Sequence, residues 1–140
     1  MPGYFDSSIL LALLLNDPSA KLAKDFWSKH EERVSSVLFE AECLTVLRRL
    51  EQSQQFARSW LAEKEKRFFG YLDEISLQNV DRQVLQIIRN EPKLSDCRTL
   101  DAIHVATALM FRGASPDSLS FYTFDKKMKK VATVIGLATE

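Results

Sequence analysis

Five short runs of strand-forming residues recur along the chain, separated by segments of helical periodicity, and this alternation constrains the fold more than any other feature. Gly3-Tyr4-Phe5-Asp6 reads as a short buried strand and Arg33-Val34-Ser35-Ser36 as a second. A third falls within Tyr71 to Leu77, a fourth within Ser120 to Phe124, and Gly136 to Ala138 forms a last. Helices are expected from Ser7 or Ser8, as cap, through Leu15, and from about Ser19 to Glu32, Val37 to Leu50, Gln54 to Gly70, Asp81 to Asn90, Thr99 to Arg112 and Lys126 to Val134. Asn16-Asp17-Pro18-Ser19 breaks the first helix, Thr99 is a candidate cap and Gly113 a stop, and Glu91 to Arg98 reads as loop. Strands alternating with helices build a parallel sheet covered on both faces. Such folds open their sites beyond the carboxyl ends of the strands.

At 140 residues the chain is expected to form one domain, 1–140, with a real core. Its 19 basic and 19 acidic residues cancel, so bulk charge points to no nucleic-acid partner, and any such surface must be local. Cys43 and Cys97 read as two lone thiols of a reduced protein, and with only His30 and His104 there is no zinc-ligand spacing. The apolar run from Ile9 to Leu15 is too short to span a bilayer and lacks the flanks of a signal peptide. A cytoplasmic protein with no membrane partner is the expectation.

Four acids stand where this architecture places sites. Asp6 ends the first strand and Asp125 follows the fourth; Glu42 lies in the first turns of the helix after strand two, and Asp101 in the first turn of the Thr99 helix. Converging carboxylates repel one another unless a cation offsets them. Hard oxygen donors suit Mg²⁺ or Mn²⁺, which activate a water and stabilise a phosphodiester displacement without a side-chain nucleophile. Singly, each acid has an ordinary role as well. Asp6 and Asp125 suit helix caps, Asp101 complements a helix dipole, and Glu42 suits a solvated helix face.

The local strings carry more than the spacing. Tyr4-Phe5-Asp6-Ser7-Ser8-Ile9-Leu10 resembles the amino-terminal motif of PIN domains. Ser35 through Leu44, then Val46-Leu47-Arg48-Arg49-Leu50, resembles the second motif of VapC-type toxins. Thr99-Leu100-Asp101-Ala102-Ile103-His104-Val105-Ala106-Thr107-Ala108-Leu109 is the nearest match, and Tyr122-Thr123-Phe124-Asp125-Lys126-Lys127-Met128 is similar to the fourth motif. The resemblance implies a PIN-like three-layer α/β/α sandwich with a mainly parallel five-stranded sheet. It also implies a Mg²⁺- or Mn²⁺-dependent endoribonuclease toxin, a VapB-like antitoxin and a homodimer.

Carried over by motif, Asp6, Glu42, Asp101 and Asp125 become metal-binding catalytic acids, with Ser7 and Thr123 in support. Glu40 and Glu42 sit roughly 200° apart around a helix, so both cannot face one metal. Helical geometry leaves that choice open; the motif favours Glu42, with Glu40 as the fallback. Asp96 reads as a surface residue and His104 as a hydrogen-bonding structural histidine. Arg48, Arg49, Lys126 and Lys127, with Lys129 and Lys130 beside them, are the candidate RNA phosphate contacts, although the lysines equally suit a solvated helix face.

The rival readings differ in class. A haloacid-dehalogenase-like phosphatase needs a second Asp where Ser8 stands, and a receiver domain needs an acid pair where Asp6 is alone. A DNA-directed structure-specific nuclease shares the metal chemistry but would carry inserted elements. A non-catalytic PIN-type RNA- or protein-binding module would usually have lost one of the four acids.

Overall fold

The structure, a computed structural model, describes residues 1–140, the side chain of Pro116 excepted. Among the described residues the order is β1 (Gly3–Phe5), α1 (Ser7–Leu15), α2 (Ala20–Ser28), β2 (Arg33–Ser36), α3 (Leu38–Gln54), α4 (Arg58–Leu72), β3 (Ser76–Gln78), α5 (Arg82–Asn90), α6 (Thr99–Arg112), β4 (Ser120–Tyr122), α7 (Lys126–Ile135) and β5 (Ala138–Thr139). The five strands form one sheet in the order β3-β2-β1-β4-β5, and every pair is parallel. This is the expected three-layer sandwich. Among the described residues no helix is long and apolar enough to cross a membrane.

Alternation along the central strands sorts the core into two halves. Tyr4 and Phe121 point to the side covered by α5, α6 and α7, where they stack with ring centroids 5.3 Å apart. Phe5 and Tyr122 point to the opposite side, stack at 5.0 Å, and meet α1, α2, α3 and α4. At the amino end of β1, Gly3 leaves room for the His30 ring, since a Cβ there would lie 2.8 Å from His30 Cδ2.

Several boundaries depart from the sequence reading. The break expected between Leu50 and Gln54 falls later: α3 runs on to Gln54, Gln55 closes it in a left-handed conformation (φ 54°), and α4 begins at Arg58. The inner row of α4 then runs through Trp60, Leu61, Phe68 and Leu72, while Phe56 and Phe69 are 41% and 48% exposed. Helix α4 also absorbs Tyr71 and Leu72, so β3 starts only at Ser76. The 91–98 segment carries a short 3₁₀ turn, Pro92–Asp96, anchored by buried Leu94.

The strand order reverses between β1 and β4: successive strands after β1 are laid down on one side of it, and β4 and β5 on the other. In parallel α/β folds the crevice beyond the carboxyl ends at such a reversal is the usual site. Asp6 and Thr123 leave the sheet at that point.

Candidate active site

Asp6 is 3% exposed and caps α1, a role expected for Ser7 or Ser8. Its Oδ1 accepts from the Ser8 backbone N–H at 3.1 Å and the Ser8 hydroxyl at 2.5 Å, and its Oδ2 accepts from the Thr123 hydroxyl at 2.6 Å. The same two hydroxyls receive the next strand's exit. Ser8 Oγ accepts from the Phe124 N–H at 2.9 Å, and Thr123 Oγ1 from the Asp125 N–H at 3.0 Å. One polar knot therefore joins the ends of β1 and β4. Asp125 in turn caps α7, accepting from the Met128 N–H at 2.8 Å. The hydroxyl that meets Asp6 is that of Ser8; Ser7 is half-buried, and its carbonyl faces the Cys43 thiol.

A second assembly holds Glu42. Its Oε1 lies 2.5 Å from His104 Nε2, and His104 Nδ1 lies 2.7 Å from the Tyr4 hydroxyl. Tyr4 and His104 are both fully buried, so the chain Tyr4–His104–Glu42 runs from the core to the site. Tyr4 and Ser8 are the partners that motif reading passes over. Period-2 alternation placed the Tyr4 ring inward, but nothing local pairs it with a residue 100 positions away. Glu40 is exposed, and it is Glu42 that faces His104.

Asp101, in the first turn of α6, keeps 18% of its side-chain surface. Its one ion-pair partner among the described residues is Arg98 at 3.8 Å, itself 85% exposed and worth little in water. Burial raises the Asp101 carboxyl above its ordinary value, and the charge of Asp125 raises it further, against the pull of Arg98 and His104. Asp6 is raised mainly by burial, with the nearby charge of His104 and the Ser8 and Thr123 hydroxyls opposing and Glu42 adding to the rise. Burial, then Glu42 and Asp6, push the Cys43 thiol well up. These influences couple Asp6 to Glu42, and Asp101 to Asp125 and Glu42.

They do not yet make a cage. Among the described residues no three His, Cys, Asp or Glu side chains stand close enough together to hold a metal ion. The donor set nevertheless fits a hard divalent cation: carboxylate oxygens only, from four different segments, with one weak counter-ion between them. Burial is the first cause of the raised Asp101 carboxyl, and the charges of Asp125 and Glu42, which also raise it, are what a bound cation would offset.

The remaining candidates lie outside this knot. Arg48 is exposed and bonds Glu65 at 3.0 Å across α3 and α4, Arg49 is exposed, and Lys126 and Lys127 are exposed in the first turn of α7. Asp96 is exposed, as expected.

Similarity to known proteins runs the length of the chain. The PIN domain family model matches residues 3–134. Ribonuclease VapC46 of Mycobacterium tuberculosis (strain ATCC 25618 / H37Rv) is 32% identical over 135 residues, covering 96% of this chain and 93% of that protein. A chain of a toxin-antitoxin complex from Klebsiella pneumoniae superposes with a TM-score of 0.67 at 20% identity, over 98% of this chain and 96% of that one, which speaks to the fold alone.

Proposed function

The chain belongs to the PIN domain family, and from that premise we propose that it is a divalent-metal-dependent endoribonuclease of the toxin kind, restrained by an antitoxin protein. What supports this reading is the polar knot that Ser8 and Thr123 tie between Asp6 and the Asp125 backbone where β1 and β4 diverge, with Asp101 coupled to Asp125 and Glu42 coupled to Asp6 and Asp101. The ribonuclease relative and the fold shared with a chain of a toxin-antitoxin complex support it.

Asp6, Asp101, Glu42 and Asp125 would hold Mg²⁺ or Mn²⁺, which when bound supplies an activated water and offsets charge on the phosphodiester. The protein's own part is placement. Ser8 and Thr123 hold both Asp6 oxygens, so that carboxylate is aimed before any ligand arrives. His104, donating from Nε2, turns Glu42 toward the same end of the sheet. Thr123 also fixes the Asp125 backbone, so one hydroxyl sets two of the acids. Lys126, Lys127 and Arg49 stand free to meet the RNA backbone.

A homodimer is part of this reading, and Phe56 and Phe69, left outside around α4, are apolar surface for a second copy or the antitoxin. A cytoplasmic location, where RNA and an antitoxin are met, accords with two free cysteines.

The test is cleavage of total RNA and tRNA by purified protein with Mg²⁺ or Mn²⁺, against EDTA and Asp101→Asn. Discrete fragments that vanish in both controls are expected. RNA left intact by folded, antitoxin-free protein in every metal condition would overturn the nuclease reading in favour of a binding module.

A further inference from the structure

A cavity of about 540 Å³ lies between the 3₁₀ turn before α6 and one face of α7. Lys93 enters it from the turn, and Lys127 and Lys130 from α7; Asp96 is the one acid in its lining, and Val131 and Val134 give it an apolar side. Among the described residues none of the three lysines makes an ion pair, so three ammonium groups from two separate elements face one concavity. The cavity adjoins the acids, because Lys127 stands in the first turn of α7, two residues after the Asp125 cap.

Lysines i, i+3 on one face of α7 advance about 4.5 Å along its axis. Lys127 and Lys130 therefore form a line leading away from the carboxylate end of the sheet, with Lys93 opposite. We propose that this cavity is a phosphate-binding subsite for single-stranded RNA, seating the backbone on one side of the scissile bond. An unpaired strand fits better than a duplex, because the Val131 and Val134 side offers an apolar surface to a splayed base. The assignment rests on the nuclease reading for its orientation, but the binding it describes is separable from cleavage.

The experiment measures anisotropy of a fluorescein-labelled oligouridylate over a salt series, with both arms carrying Asp101→Asn to prevent cleavage. One arm adds Lys93→Ala, Lys127→Ala and Lys130→Ala; a control adds Lys21→Ala and Lys24→Ala, exposed on α2. Each single-strand phosphate contact contributes about 0.7 to the slope of log affinity against log salt, so the cavity variant should lose about 2 from it. The control should keep its slope, and thermal unfolding should show both variants folded. An unchanged slope in the cavity variant overturns the subsite. So does displacement of a polyglutamate peptide in place of RNA, which would make the cavity an acidic-peptide site. A lysine-dependent slope in a protein whose unsubstituted form cuts no RNA would sustain the subsite while the nuclease reading fails; cleavage with an unchanged slope would do the reverse.

Discussion

Tyr4 is a ring on the core side of the central strand, yet its hydroxyl has a defined task. A carboxylate only accepts hydrogen bonds, so His104 Nε2 must donate to Glu42, leaving Nδ1 to accept the Tyr4 O–H. The Glu42 carboxylate thus settles that Nε2 donates, and the Tyr4 oxygen holds the other edge of the ring. Tyr4→Phe deletes that oxygen and leaves Nδ1 buried without a partner, a cost of about 1–3 kcal/mol in unfolding free energy. It also loosens the ring that aims Glu42, so Mn²⁺ binding should weaken on the order of 10-fold by calorimetric titration. A variant that loses stability but binds Mn²⁺ as tightly as the parent would reduce the ring to packing. Burial raises the Tyr4 phenol well above its ordinary value, so the hydroxyl keeps its proton throughout the working pH range.

The junction between α3 and α4 shows what an element boundary costs. Gln55 closes α3 in the left-handed region, where its N–H reaches Glu51, and it does so with a full side chain. An L-residue there carries about 1–2 kcal/mol of strain, and glycine's extra freedom in the unfolded chain costs about 0.5–1. Gln55→Gly should therefore gain about 0.5–1 kcal/mol, read from the denaturation midpoint at constant slope. A loss of stability would mean the Gln55 side chain makes up the strain through contacts of its own. Asn16 ends α1 with a similar φ of 51°, but asparagine tolerates that region, so it offers no comparable gain. The sequence shows that a break falls here but not where, because 53–55 holds neither Gly nor Pro to mark the residue that turns.

Zero net charge over the whole molecule does not prevent local imbalance: Asp101 feels Asp125 and Glu42, and three lysines line a neighbouring cavity. Asp6 and Asp101 both have raised carboxyls in the folded state, so the native protein binds those protons more tightly than the unfolded chain. Their ionisation therefore opposes folding at neutral pH. The penalty fades as pH falls through the raised values and is gone below the ordinary carboxylate value near 3.8. In EDTA, Asp101→Asn should melt above the parent at neutral pH, with the gap closing on acidification. Mg²⁺ should then stabilise the parent more than the variant, since only a ligand that prefers the folded state raises the melting temperature. A parent that melts above the variant in EDTA at pH 7 would show that the acids are not in repulsion.

The chain by itself determines its five parallel strands, its two helical layers and the four candidate acids, because strand alternation, helical period and motif strings are all local properties. It also places Asp6 and Asp125 at strand ends, where an α/β sheet opens. Tertiary structure alone decides who holds the acids. Ser8 in preference to Ser7 meets Asp6, Thr123 bridges it from 117 residues away, and Tyr4 reaches Glu42 through His104. The same is true of Lys93, whose place across a cavity from α7 follows from how the 3₁₀ turn packs and from no pattern in its neighbours. Such pairings depend on the lateral order of the strands and the docking of helices on them, which no periodicity along the chain encodes.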